Sequence, residues 1–308
     1  MHEVKWHLPD GLHEAYITLL AGSATLLPNI KALAASLVDV GSTRPLIVMV
    51  DQSMATDSAR VRASLRRLRS CLNVSVVYVQ RIANPFSSAS NVRWAHTYTK
   101  LNAFGAPLRR AVYLDADTLV LRNVDRPLFE PSEDTSAVHA VLDPGECGRD
   151  ITFHARSPRF NVRQHLLNCV RRLTLRPATF NSGVMAFAPS QRLSSEMLAQ
   201  IDTLPSYDGG DQGFLNTYFN RSFARLDQSL NVFATDMAQM RRLVGHLVPP
   251  KFLGPTDGLS SVSILHFAGM QKPQRRRPMG STWMTGAWEA FSKALQSYDR
   301  RCGRRTVS

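Results

Sequence analysis

What this 308-residue chain lacks narrows its function before any motif is considered. Its four cysteines, Cys71, Cys147, Cys169 and Cys302, show no C-x-x-C spacing and no zinc pattern. That argues against a zinc ribbon or a dithiol redox centre and sets the expectation of reduced thiols, as in a cytosolic protein. Long apolar runs are also missing. The stretch Pro45 to Val50 is strand-length, well short of the ~20 residues a membrane helix needs. The N-terminus has no basic segment leading into an apolar one, so neither a secretory leader nor a membrane anchor is expected, and the expected location is cytoplasmic. Aromatic residues make up 8% of the chain and do not interleave with the basic ones, and no nucleic-acid reader motif is present, so nucleic-acid binding is not favoured. There is no internal repeat.

Acidic residues are outnumbered, with 24 Asp and Glu against 37 Lys and Arg, for a net charge of +13. Such an excess fits nucleic acid, a membrane surface or an anionic small substrate. Much of it sits in short clusters at 62–69, 171–172, 275–277 and 300–305, which read as solvated helix faces and tails.

What is present is ordinary globular material, 44% hydrophobic and 20% charged. A β-branched apolar run at 15–20 reads as a strand and ends at Ala21-Gly22-Ser23. Helical spacing follows over 28–39, with Pro28 in the first turn. Strands are expected at 45–50 and 74–79, around a basic amphipathic helix at 57–71. This β-α-β-α-β alternation predicts a parallel sheet flanked by helices, with ligands at the carboxyl ends of its strands. Further on, helices are expected at 93–106, 191–203, 211–219 and 286–299, and strands at 111–114, 180–188 and 261–267. Residues 146–178 are polar, rich in Arg and His, and read as an insertion with a helix near 161–173. The division expected is one α/β domain over 1–285, then a C-terminal helix and basic tail over 286–308.

The chemistry concentrates at Val112-Tyr113-Leu114-Asp115-Ala116-Asp117. Two carboxylates follow a buried strand at i and i+2, a spacing that points both to one face. Such a pair can hold a hard cation, Mg²⁺ or Mn²⁺, that also takes phosphate oxygens. A solvated turn with two acids would carry the same three letters, so companions decide. His266 ends a second strand and offers a third ligand. Behind it, Gly269 lets backbone approach a phosphate and Lys272 supplies a cation for it.

These pieces, with Thr99-Lys100-Leu101, Asp143-Pro144-Gly145, Phe180-Asn181-Ser182-Gly183-Val184 and Gly210-Asp211-Gln212-Gly213, resemble the glycogenin-like family of retaining glycosyltransferases. They run in the family's order from residue 15 to 273. The resemblance implies a GT-A fold, a Rossmann-like and mostly parallel central sheet in a single domain, with a divalent metal, usually manganese, and a uridine-diphosphate sugar donor. Carried over by position, Asp115, Asp117 and His266 would be metal ligands. Ala116, Gly269 and Lys272 would line the diphosphate. Lys100, Asp143, Asn181, Asp211 and Gln212 would surround the sugar, with Asp211, Gln212 and Lys100 closest to the chemistry. The implied acceptor is a carbohydrate, protein, polyol or lipid, and a homodimer is compatible. The loop Leu20 to Thr25 lacks the family's Thr-Asn pair and an aromatic residue, and Gln274 stands where the family has Trp.

Two other readings remain at this point. One is a non-catalytic member of a nucleotide-sugar fold, or a basic nucleic-acid binder. The other is a haloacid-dehalogenase-type phosphatase with Asp115 as nucleophile. That motif places Thr two positions after its second Asp, where this chain has Leu119.

Overall fold

A computed structural model of the chain describes residues 4–57, 59–86, 95–130, 136–143, 179–220, 222–234, 258–268 and 282–303. The expected insertion at 146–178, Gly269, Lys272 and the last five residues lie outside this set.

The first half folds as the alternation predicts. Strands β1 (Glu14–Leu20), β2 (Leu46–Asp51) and β3 (Val74–Val79) pair in parallel, and β4 (Arg110–Leu114) adds to the free side of β1, also parallel. The seven-stranded sheet runs β3-β2-β1-β4-β7-β6-β8, with β6 at Val138–Leu142, β7 at Phe180–Phe187 and β8 at Ala224–Arg225. Strand β7 is antiparallel to both β4 and β6, so the sheet is mostly rather than wholly parallel. A smaller sheet orders β5 (Thr118–Val120), β10 (Ile264–His266) and β9 (Val232–Phe233).

Both faces of the large sheet are covered, which explains why its strands read as continuous apolar runs rather than alternations. On one face Tyr16, Val48 and Val112 meet α1 (Leu27–Asp39) and α3 (Ala59–Cys71). Helix α3 buries Val61, Leu65 and Leu68, a spacing of four and three that turns its arginines outward. The short α2 (Gln52–Asp57) precedes it. On the other face Ile17, Met49 and Tyr113 meet Tyr98, Leu101 and Phe104. These belong to a 3₁₀ helix at Thr97–Gly105, where a longer helix over 93–106 is expected from sequence. Helices α5 (Gln191–Ala199) and α6 (Asp211–Tyr218) complete this face, while α4 (Asp125–Phe129) packs on the first, its Phe129 ring against Tyr16.

Helix α1 stops where its sequence says it should. Gly41 adopts φ +71°, and the amides of Gly41 and Ser42 return to the carbonyls of Val38 and Leu37. That pair of bonds is a Schellman cap, which glycine closes without strain. Near its end Asp125 ties the sheet to this turn. Its carboxylate accepts from the Tyr16 hydroxyl at 2.7 Å, the Ser42 hydroxyl at 2.7 Å and the Thr43 amide at 2.8 Å. Burial alone would raise its pKa, but these donors outweigh that and hold it below the ordinary carboxylate value.

The C-terminal helix α7 (Thr282–Cys302) lies along α1, where Arg301 and Ser297 both reach Asp39. One expectation fails here. Cys71 and Cys302 are not reduced thiols but form a disulfide, with Cα atoms 5.4 Å apart. Their separation of 231 residues hides the pairing from any spacing rule, because it arises only when α3 and α7 pack side by side. A cross-link over so long a loop stabilises mainly by restricting the unfolded chain. Cys71→Ser is expected to lose about 2–5 kcal/mol. Urea unfolding with and without dithiothreitol would test this, and identical midpoints in the wild type would contradict it.

Candidate active site

Strand β4 hands the chain from the large sheet to the small one through Asp115-Ala116-Asp117. The Asp115 carbonyl accepts from both the amide and the hydroxyl of Thr118, closing a tight turn. Strand β5 then pairs antiparallel with β10 so that Thr118 faces His266, and the Phe267 amide donates to the Asp117 carbonyl. This register sets His266 beside both acids. Its Nε2 lies 3.6 Å from Asp115 Oδ2 and 3.5 Å from Asp117 Oδ1.

The imidazole is fixed from behind. Asn181 Oδ1 accepts from the Gly183 amide and from Asn231 Nδ2. Asn231 therefore presents its carbonyl oxygen to His266 Nδ1, 2.9 Å away. Nδ1 thus serves as the donor to Asn231, which turns Nε2 toward the two carboxylates. Gly183 passes so close beneath the ring that any Cβ there would overlap it. Asn231→Leu removes the acceptor that orients His266. Its manganese affinity, measured by calorimetric titration, is expected to fall about 10- to 100-fold; an unchanged affinity would refute the role.

A second cluster adjoins the first. Lys100 is buried, and its Nζ lies 2.6 Å from Asp211 Oδ2, 3.1 Å from Asp115 Oδ1, and 3.2 Å from the Ser182 hydroxyl. Burial would lower its pKa, but Asp115 and Asp211 outweigh burial and hold the ammonium above its ordinary range. The ring of Tyr113 lies 4.9 Å below the same nitrogen. Gln212 donates to Asp143 at 2.8 Å and accepts from Asn181 Nδ2 at 2.8 Å. A continuous chain of polar side chains thus runs Asp143, Gln212, Asn181, Asn231, His266. Asn216 anchors it by bonding both the amide and the carbonyl of Phe180.

The structure therefore brings together Lys100, Asp115, Ala116, Asp117, Asp143, Asn181, Asp211, Gln212 and His266 from six segments of the chain. Gly269 and Lys272 lie outside the described residues. Asn231 and Asn216 escape a reading of the sequence, because single asparagines outside any motif carry no spacing signal.

The donor set fits a divalent cation. Among the described residues, Asp115, Asp117 and His266 each offer one ligand atom, all within 4.8 Å of one another. Two carboxylates and an imidazole suit a divalent ion such as Mn²⁺ or Mg²⁺.

A family model described as glycosyl transferase family 8 matches residues 14–276. The chain belongs to this family. Its fold is GT-A. Over 206 residues it is 30% identical to inositol phosphorylceramide glucuronosyltransferase 1 of Arabidopsis thaliana, covering 67% of this chain and 30% of that one. Over 266 residues it is 27% identical to mouse glycogenin-1, covering 84% of this chain and 65% of that one. The chain thus spans less than a third of the plant relative and about two-thirds of the mouse one. Among solved structures, the galactosyltransferase LgtC in complex with donor and acceptor sugar analogues superposes with a TM-score of 0.58 at 20% identity, over 92% of this chain and 95% of that one. Among the described residues no helix is long and apolar enough to cross a membrane.

Proposed function

We propose that this family 8 glycosyltransferase moves a hexose, with retention of configuration, from a UDP-sugar to a carbohydrate, protein, polyol or lipid acceptor. The observation that carries this reading is the convergence of Asp115, Asp117 and His266 beside the buried Lys100–Asp211 pair. Mn²⁺ or Mg²⁺ would be held by those three residues, where it would offset charge on the diphosphate leaving group. The chain's own residues do the rest. Lys100 supplies the counter-charge to Asp115 and Asp211. Asp211 faces the sugar and stabilises positive charge as it develops at the anomeric carbon. Asp143 and Asn181, locked through Gln212, read sugar hydroxyls. Gly269 and Lys272 complete the diphosphate cradle in this reading.

The phosphatase alternative fits less well. Asp115 is engaged by Lys100 and faces His266, an arrangement for a ligand rather than a free nucleophile. The test is the anomeric form of the sugar first released when a UDP-α-hexose is hydrolysed, read by proton NMR before mutarotation. An α product is expected. A β product would overturn retention, and release of phosphate instead of UDP would overturn the transferase reading.

A further inference from the structure

A second polar pair stands at the same edge of the sheet and takes no part in the metal cluster. Asp51 ends β2 and is 1% exposed. Its Oδ1 accepts from the amide and hydroxyl of Ser53, while Oδ2 has no hydrogen-bond partner. Opposite it, 3.9 Å away, is His96 Nδ1, also without a partner, on a side chain 31% exposed. Unpaired buried polar atoms are costly and few, so this pair calls for a ligand.

We infer that Asp51 and His96 hold a ribose hydroxyl of the nucleotide donor. The inference rests on the nucleotide-donor reading above. Its first support is position. Register pairs Leu20 with Val50 and Ile17 with Tyr113, so Asp51 ends β2 two residues beyond the level of Asp115, with β1 lying between their strands. Two strand spacings and two residues of rise separate them, about 12 Å. By another route, His96 precedes Lys100 by four residues at the start of the 3₁₀ helix, about 8 Å at 3₁₀ rise. Both routes set the pair one nucleoside away from the acids that face the diphosphate, at the strand ends where parallel sheets bind ligands.

The second support is chemistry. A carboxylate oxygen only accepts, so its partner must donate. The gap of 3.9 Å is too long for a direct bond, yet one oxygen can sit about 2.8 Å from each atom. A hydroxyl donates to Asp51 and still offers a lone pair or proton to His96 through one oxygen, whereas a base edge needs a separate acceptor beside its N–H to serve both. Burial first, and then Arg81, hold the His96 pKa below its ordinary value, so the ring is neutral and can take either role. The third support is Gly22, at φ +75° in the loop after β1. A Cβ there would lie 2.6 Å from His96 Cδ2, so the loop can approach the ring only as glycine.

The experiment is calorimetry with Mn²⁺ and four probes: UDP, 2′-deoxy-UDP, 3′-deoxy-UDP and CDP. The wild type is expected to bind UDP about 10- to 100-fold tighter than one of the two deoxy analogues, the range for a hydrogen bond to a charged group. Asp51→Asn keeps the volume and the acceptor facing Ser53, and it should cut that preference to about threefold or less. His96→Phe should weaken it as well, with circular dichroism unchanged in both variants. Equal binding of UDP and both analogues would overturn the inference while leaving the donor reading intact. So would a preference that survives in Asp51→Asn, or a variant that changes only discrimination against CDP, since that would mark a base contact. Failure to bind any of the four would defeat the donor reading and this inference together.

Discussion

Asp117→Ala is expected to lose donor turnover by at least about 10³-fold, the scale of several kcal/mol of charge stabilisation, while the protein stays folded. The carboxylate contributes one of three converging ligand atoms, and its neighbour Asp115 is already shared with Lys100 at 3.1 Å. The fold does not depend on it in the same way. The Phe267 amide bonds the Asp117 backbone carbonyl, so the β5–β10 register survives truncation of the side chain. Removing one of two acids that face each other also relieves repulsion in the metal-free protein. The melting temperature is therefore expected to stay within about 4 °C of the wild type, roughly 1 kcal/mol for a domain of this size. Release of UDP from a UDP-sugar and a thermal melt check the two halves. A variant that is unfolded, or one that is fully active, would contradict this account of the site.

Lys100→Met should produce the opposite pattern, with stability lost along with activity. The ammonium is buried among Asp115, Asp211 and Ser182, with its shortest contact at 2.6 Å. Removing it leaves two carboxylates without their counter-charge, and breaking a buried pair in this way costs about 3–5 kcal/mol. The melting temperature should fall by about 10 °C. Adding Asp211→Asn should recover part of the lost stability and none of the turnover, a coupling that a double-mutant cycle reads directly. The pH dependence follows from the direction of the shift. The folded pKa of Lys100 is raised above its ordinary value of 10.5. Its contribution is therefore complete below that pH and is lost only as the pH climbs toward the higher folded value. The gap between wild type and Lys100→Met should stay constant from about pH 6 to 9; a gap that closes within this window would refute the pairing.

These two residues also show what the sequence reveals and what it hides. Asp115 and Asp117 are legible because a buried strand precedes them and a period of two sets both on one face. His266 is legible as a strand-end histidine, yet its position beside Asp117 depends on the β5–β10 pairing, which no local pattern encodes. The first three strands and α1 read clearly because continuous apolar runs and a helical period are strong signals. Strand β6 does not, since Val138–Leu142 is short and carries His139. The antiparallel direction of β7 is set by its neighbours rather than by its own residues. Asn231 and the Cys71–Cys302 bond are the clearest omissions. Each gains its role from a partner at least 35 residues away, through contacts that form only once the sheets and helices have assembled.

The central claim is that Asp115, Asp117 and His266 bind a divalent cation that the donor reaction needs. The most direct test is release of nucleoside diphosphate from a panel of nucleotide sugars without acceptor, with Mn²⁺ and again with excess EDTA. Hydrolysis of a UDP-sugar that appears with Mn²⁺, disappears with EDTA and is absent from Asp117→Ala is the result predicted. Undiminished hydrolysis in EDTA, or equal rates in the variant, would contradict it.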